Sequence, residues 1–420
     1  MRDETAGVEE PASFYDQPQV EVDQLPIGEG VTVGIERVSN PELGIAGAYG
    51  TWGKSYDNHT LRYLIEELLG EPMPTDEDLN LSDLGFSHRQ HLPSLTKEEQ
   101  LEVELEVGAR FLRQAALANG WDPSEVQGVI VGSTAPPTED YTEKIAERAG
   151  IPDEALKVSI HKACDSSMGG LHLALNPDLP ENSRLPANIA EELRGKKILV
   201  GGIEGISRII QMARDKYALQ LFGNGAGVIG VIPGETMRFL AGRTREVFDE
   251  SGLLQVHMFY PHSGILAAGK SMLEVAQTGL NQFRIAGLMH EPEDGSPVNM
   301  AGPMGMVKLF VRSGVEVVRD AFVAYQEMME RVGLPDKNIK VAIVHHANLK
   351  INQLKAKHLR RVGVQIPMPW VLSEFGNVSA ASNMIAFLRK LSALNPGDHI
   401  LFDGFGAGTY YDAFTVELSG

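Results

Sequence analysis

From Leu112 apolar residues recur at helical spacing until Gly120. A polar turn follows at Asp122-Pro123, and the apolar run Val129 to Val131 then predicts a buried strand. The same order returns 213 positions later. A helix through Val315, Val318 and Phe322 stops at Gly333, Pro335-Asp336 makes the turn, and Val341 to Val344 form a strand ending at His345. Gly120 thus pairs with Gly333, Val126 with Ile339, and Val131 with Val344. The same offset carries Cys164-Asp-Ser-Ser-Met-Gly-Gly-Leu onto Asn377-Val-Ser-Ala-Ala-Ser-Asn-Met, each a polar residue opening a small-residue helix. A shorter offset sets Lys197-Ile-Leu-Val-Gly-Gly on His399-Ile-Leu-Phe-Asp-Gly, because the first half has extra chain around Asn176 to Ala187.

One helix-strand match is common by chance among α/β proteins; three in order argue for a duplication. Strands alternating with helices predict parallel or mixed sheets with helices on their faces, in two halves of one pseudo-symmetric molecule. Ligands of such folds gather where strand ends meet helix starts. Cys164, His345 and Asn377 all fall at such places. Thr96 to Glu99 reads as a capping box opening a helix with Leu101, Leu105 and Leu112 along one side. Residues 1–40 read as an acidic tail or covering arm, 41–236 as the first half and 237–420 as the second; 233–300 lacks clear periodicity.

Composition narrows the function. The chain has 420 residues, 43% hydrophobic and 22% charged, enough for two core-forming units. Its 37 Lys and Arg against 56 Asp and Glu give a net charge of -19, which disfavours nucleic acid and anionic lipid as partners. No apolar stretch approaches the ~18 residues of a membrane span, and the first 24 residues carry no secretory core, so a soluble cytoplasmic protein is expected. The single cysteine excludes an internal disulfide and a Cys-cluster metal site.

Cys164 is therefore either a small buried hydrophobe or a nucleophile. At a helix start, negative charge is favoured, so the thiol is expected to lean toward thiolate. His345 is followed by His346, and alternation along a strand lets only one reach a shared pocket; His345 is chosen. A purely structural histidine is the alternative, and the adjacent pair lacks metal-ligand spacing. Asn377 follows Gly376, where a turn alone would explain it. Functionally, a non-titrating amide and a neutral imidazole can both donate to a developing oxyanion. The turn Phe405-Gly-Ala-Gly408 offers further backbone N–H groups.

These segments, read together, resemble the β-ketoacyl-acyl-carrier-protein synthase III group of the thiolase superfamily, from about Gly44 to Glu417. The residues that carry the likeness are Lys162-Ala-Cys164-Asp-Ser-Ser, Phe222-Gly-Asn-Gly-Ala-Gly227, His345-His-Ala-Asn-Leu-Lys-Ile351, Gly376-Asn-Val-Ser-Ala-Ala-Ser382 and Phe405-Gly-Ala-Gly408. The resemblance implies a duplicated fold of five layers, αβαβα, and a homodimer. It also implies an acyl group carried on Cys164, with coenzyme A or acyl carrier protein as donor, a malonyl-type thioester as second substrate and no permanently bound cofactor. By the same resemblance His345 and Asn377 serve the condensation, and the N–H groups of Cys164 and Ala407 form the oxyanion hole. The family's adenine clamp is altered: Leu84-Gly-Phe-Ser87-His88-Arg89 replaces its Thr-Gly-Ile-Arg segment, Leu79 falls near its tryptophan and Lys216 near its arginine. His346 stands where the family often has Gln, and Asn224 where it often has Asp. Extra chain lies between Gly234 and Val298.

Rival readings are a papain-like hydrolase, which lacks its Cys-Gly-Ser-Cys-Trp signature here, an acyltransferase of the same fold acting on a hydroxyl or amine, and a non-catalytic partner subunit.

Overall fold

The computed structural model describes residues 12–72, 81–134, 136–213, 216–247, 271–287 and 303–419. Eight strands precede residue 232: β1 (Glu21–Gln24), β2 (Thr32–Asn40), β3 (Ile45–Asp57), β4 (His88–His91), β5 (Gly128–Gly132), β6 (Leu156–His161), β7 (Ile198–Glu204) and β8 (Gly225–Val231). Six follow: β9 (Met237–Glu246), β10 (Glu274–Gly279), β11 (Gln282–Ala286), β12 (Ile339–Val344), β13 (His399–Gly406) and β14 (Tyr410–Leu418).

The first sheet has ten strands in the order β1-β2-β3-β8-β7-β5-β6-β11-β10, with β4 branching from β3; the second runs β12-β13-β14-β9. Both contain the same core. β5 lies parallel to β7, which is antiparallel to β8, which is antiparallel to β3. Likewise β12 lies parallel to β13, and β14 and β9 follow antiparallel. The apolar runs of β5 and β12 are what a parallel strand covered on both faces requires.

Two helices, Ser166–Leu175 and Ser382–Lys390, are buried at every residue between the sheets. Their small residues let backbones approach: a Cβ on Gly132 would sit 2.5 Å from the Ser167 nitrogen, so only glycine fits at the end of β5. Met168, Leu171, Met384 and Ile385 join one apolar cluster with both sheets. Helices Lys97–Ala118 and Tyr141–Ala149 cover the outside of the first sheet, and Gly314–Arg331 and Leu349–Arg361 lie outside the second. The result is the expected five layers. Thr96 and Glu99 form the capping box read from sequence.

Three features depart from a simple duplication. In the described part of the expected N-terminal arm, β1 and β2 extend the first sheet, with β2 paired to β3 along its whole length. Phe14 packs against Tyr49 and Phe375. β9 opens at Met237 in the second sheet, but β10 and β11 return to the first, where β11 pairs with β6. The second half also has no counterpart of β6 among the described residues. Its chain there contains Pro367 and Pro369, which lack N–H groups, so it contributes only the Pro367 carbonyl, 2.9 Å from the Ala342 nitrogen. Most of the extra chain between Gly234 and Val298 lies outside the described residues.

Candidate active site

Cys164 stands on a turn that the flanking residues hold in place. Ala163 adopts a left-handed φ of 52°, unfavourable for a residue with a Cβ, and opens the 3-10 turn Ala163–Asp165 that runs into the buried helix Ser166–Leu175. The Ser166 hydroxyl receives the Lys162 N–H at 2.8 Å and donates to the Ala163 carbonyl at 2.6 Å. Below the turn the Lys162 ammonium is buried, 2.5 Å from Asp412 and 3.3 Å from Glu181, and Asp412 also meets His172 at 2.6 Å.

The pseudo-symmetric mate of this turn is Ser379–Ala381, opened by Ser379 at φ 44° and leading to the helix Ser382–Lys390. Cys164 therefore corresponds to Ala380, and the sequence pairing of Cys164 with Asn377 is corrected by three residues. The chain from Val344 to its turn is three residues longer than that from Val131 to its own, which an offset fixed on the strands could not register.

Asn377 reaches the thiol indirectly. Its Oδ1 accepts the Ser379 N–H at 2.9 Å, and the Ser379 hydroxyl donates to Cys164 Sγ at 3.1 Å. Asn377 Nδ2 donates at 3.3 Å to the carbonyl of Ala347, whose own N–H bonds the His345 carbonyl at 3.1 Å. One run of hydrogen bonds thus links the three candidates across 181 and 32 positions of sequence. His345 is buried with Nδ1 unpartnered among the described residues, beside the rings of Phe310 and Phe405. His346 is committed elsewhere: Nδ1 lies 2.9 Å from the Val344 carbonyl, and Nε2 accepts the Val371 N–H at 3.1 Å.

Burial dominates the electrostatics. It pushes the Cys164 thiol up to about 12, opposed by the Ser379 hydrogen bond and assisted by the Glu204 carboxylate. The residue keeps partial solvent access, but its sulfur sits in dense surroundings. The thiolate leaning expected of a helix start is thus reversed. Burial holds His345 down to about 3, with His346 and Lys355 adding to the effect, so its imidazole is neutral at ordinary pH. A neutral imidazole can donate one hydrogen bond to an oxyanion without first losing a proton.

The turn at Ala407 lies beside Cys164, since Gly406 packs directly on the Lys162 carbonyl and on Asp165. Lys216 opens the short helix Lys216–Leu221, its ammonium 5.9 Å from the Tyr217 ring centroid. Leu79 lies outside the described residues. The segment Leu84 to Arg89 docks on Trp370, whose indole donates to the Gly85 carbonyl at 2.9 Å and packs between Phe86 and His346. Asn224, in the Asp position of the family, accepts the Ser207 N–H and donates toward the Trp52 carbonyl. Among the described residues no three His, Cys, Asp or Glu side chains are grouped to hold a metal, and no helix is long and apolar enough to cross a membrane.

Sequence reading missed Ser379, which meets the sulfur, and Thr134 and Glu204 behind it. The repeat held a signal for two of them: Thr134 lies three residues after Val131 as Ala347 does after Val344, and Glu204 ends β7 where Gly406 ends β13.

Residues 329–418 match the family profile described as 3-oxoacyl-[acyl-carrier-protein (ACP)] synthase III C terminal. The β-ketoacyl-[acyl-carrier-protein] synthase III of Clostridium tetani is 24% identical over 378 residues, covering 86% of this chain and 94% of that protein. Among solved structures, the 3-oxoacyl-[acyl-carrier-protein] synthase III of Aquifex aeolicus superposes with a TM-score of 0.60 at 18% identity, over 92% of this chain and all of that one. The priming β-ketosynthase of the R1128 polyketide pathway gives 0.57 at 20% identity, over 90% and 95%. The chain thus has the duplicated five-layer fold of these structures and is similar in sequence to β-ketoacyl-acyl-carrier-protein synthase III proteins.

Proposed function

We propose that the chain is a condensing enzyme that loads an acyl group on Cys164 and joins it to a malonyl-type thioester by decarboxylative Claisen condensation. The observation that supports this reading most is the hydrogen-bonded run from Cys164 through Ser379 and Asn377 to Ala347 and His345. In the first half-reaction the Cys164 sulfur attacks an acyl thioester, delivered by coenzyme A or acyl carrier protein. The N–H groups of Cys164 and Ala407 receive the oxyanion, and the donor thiol leaves. The malonyl-type thioester then enters, and His345 and Asn377 donate to its thioester carbonyl. Carbon dioxide departs, and the resulting enolate carbon attacks the acyl carbonyl and frees the cysteine. Neutral donors suit this step, because an imidazole that stays uncharged presents its N–H throughout. Lys216 is assigned to the phosphates or adenine of coenzyme A, and the working form is a homodimer; sedimentation of the pure chain reads the latter.

Intact-mass measurement with a panel of acyl-coenzyme A and acyl-carrier thioesters tests the reading. The chain should gain one acyl mass, Cys164→Ala should gain none, and addition of a malonyl thioester should release a β-keto product. An adduct of undiminished yield on Cys164→Ala overturns the nucleophile. Transfer to an added alcohol or amine without carbon dioxide release would make the chain an acyltransferase instead.

A further inference from the structure

Glu204 ends β7 wholly buried and has no part in the reaction outlined above. Its carboxylate accepts the Thr134 N–H at 2.8 Å, the Ala380 N–H at 3.4 Å and the Ser133 hydroxyl at 3.4 Å, and the Thr134 hydroxyl lies beside it. That hydroxyl lies 2.6 Å from Ser379 Oγ, which is 3.1 Å from Cys164 Sγ. A file of proton-carrying atoms therefore leads from sulfur toward the carboxylate: Cys164 Sγ, Ser379 Oγ and Thr134 Oγ1, with Glu204 held on the Thr134 N–H at its end. Its members come from both halves of the duplication, and its two hydroxyls can each turn to give or to accept.

We propose that Glu204 is the terminal proton acceptor for Cys164, acting through Ser379 and Thr134; the inference rests on the acyl-loading reading of this site. As the sulfur attacks, its S–H bond breaks and the proton passes to Ser379 Oγ. Ser379 gives its own proton to Thr134 Oγ1, and Thr134 gives its own to the carboxylate. A neutral carboxylic acid and a sulfur lone pair free to bond carbon remain, with the Ser379 hydroxyl now donating to sulfur. The proton returns along the same file to the departing donor thiolate, so the half-reaction neither consumes nor releases one.

The physical case is one of charge. A thiolate made by loss of a proton to solvent would share a buried site with an ionised Glu204, two like charges in a poorly solvated space. Transfer along the file keeps the total at one. Burial holds Glu204 up to about 7, against the pull of Thr134 and Ala380, near the pH at which a general base works best. The charged groups facing the file are Glu104, bonded to Gln100 and Arg208 behind Glu204, and Asp165 beside the cysteine. Burial and Asp412 push Asp165 well above the carboxylate range.

The test is carbamidomethylation of the full chain by iodoacetamide, followed by intact mass over a range of about pH 5.5 to 10, which needs no thioester. The parent protein should accelerate through the ionisation of Glu204 near 7, level off, and rise again toward the thiol's own titration. Glu204→Gln and Thr134→Val should lose the plateau and react on the order of 10²-fold more slowly near neutrality. Thr134→Ser, which restores the hydroxyl, should recover the profile. A neighbour acting only through its charge gives the opposite sign: removing the carboxylate lowers the thiol's pKa, and Glu204→Gln then reacts as fast or faster. That outcome overturns the proposal, as does a Thr134→Val profile identical to the parent's, which decides the matter even if Glu204→Gln does not fold. If the parent loads no acyl thioester but shows the plateau, the proposed function fails and the proton file stands.

Discussion

Replacing Lys162 by Met should cost far more than its distance from solvent chemistry suggests. The ammonium is 2% exposed, and burial alone would lower its pKa; Asp412 and Glu181 hold it well above the ordinary lysine value. Asp412 shows the complementary shift, held below the usual carboxylate range by Lys162 and His172 although burial pushes the other way. Methionine matches the stem of lysine in volume, so the loss is that of the charge. Asp412 is left with His172, and the Glu181 oxygen that met the ammonium at 3.3 Å loses it. Breaking one partner out of a buried pair costs about 3–5 kcal/mol, a large share of a total stability of about 5–15 kcal/mol. The double variant Lys162→Met/Asp412→Asn should cost less than the two singles summed, by about 1–3 kcal/mol, because it removes both charges. Urea unfolding followed by tryptophan emission and circular dichroism measures each value. A loss below about 1 kcal/mol for Lys162→Met would show that water or another group solvates Asp412, and the anchoring of the Cys164 turn would then need a different cause.

His345→Ala and Asn377→Asp should slow condensation by roughly 10²–10³ while sparing acyl loading, read by separate single-turnover assays; a large loss confined to His346→Ala would instead assign the reaction to the neighbouring ring. On stability, His346→Ala should cost about 1–3 kcal/mol, because the Val371 N–H loses its acceptor in a buried place. Gly132→Ala should cost about 1–3 kcal/mol in urea unfolding, since its Cβ meets the start of the Cys164 helix. His345, held near 3 when folded, stays neutral as the pH falls below the unfolded histidine value while the unfolded chain takes up a proton. It therefore costs up to about 1.4 kcal/mol per pH unit between about 6.5 and 3, and His345→Gln should flatten the stability curve there by that slope.

Much of this molecule could be read from its sequence, for local reasons. The repeated glycines close helices: Gly120 and Gly333 both take left-handed φ values, 70° and 75°, which few other residues adopt. The apolar runs of β5 and β12 are the signature of strands buried on both faces. The steps that escaped are tertiary. Nothing local tells β10 and β11 to return to the first sheet across the expected boundary at 237, and the alternation of β1 and β2 is too short and too polar to separate from an arm. The three-residue slip between Cys164 and Asn377 arises in a connection, where length is free to vary without disturbing the strands that define the repeat.

The charge state of Cys164 shows the same division between local and tertiary causes. A helix start favours an anion through partial charges confined to its first turn, an effect of about 0.3–1 kcal/mol when exposed. Enclosure between two sheets removes water from the same sulfur, and each pKa unit gained is worth about 1.4 kcal/mol against the thiolate. A rise from 9.0 to about 12 outweighs the dipole several-fold. The sequence shows the helix start but not the depth of the enclosure, so it predicts the smaller effect and misses the larger. A thiol that stays protonated at rest resists oxidation and alkylation, and it can attack only when a base takes its proton at that moment. The fold must then supply that base, and Glu204, which lies beyond two hydroxyls from opposite halves of the duplication and is held on the Thr134 N–H, is the group proposed for it.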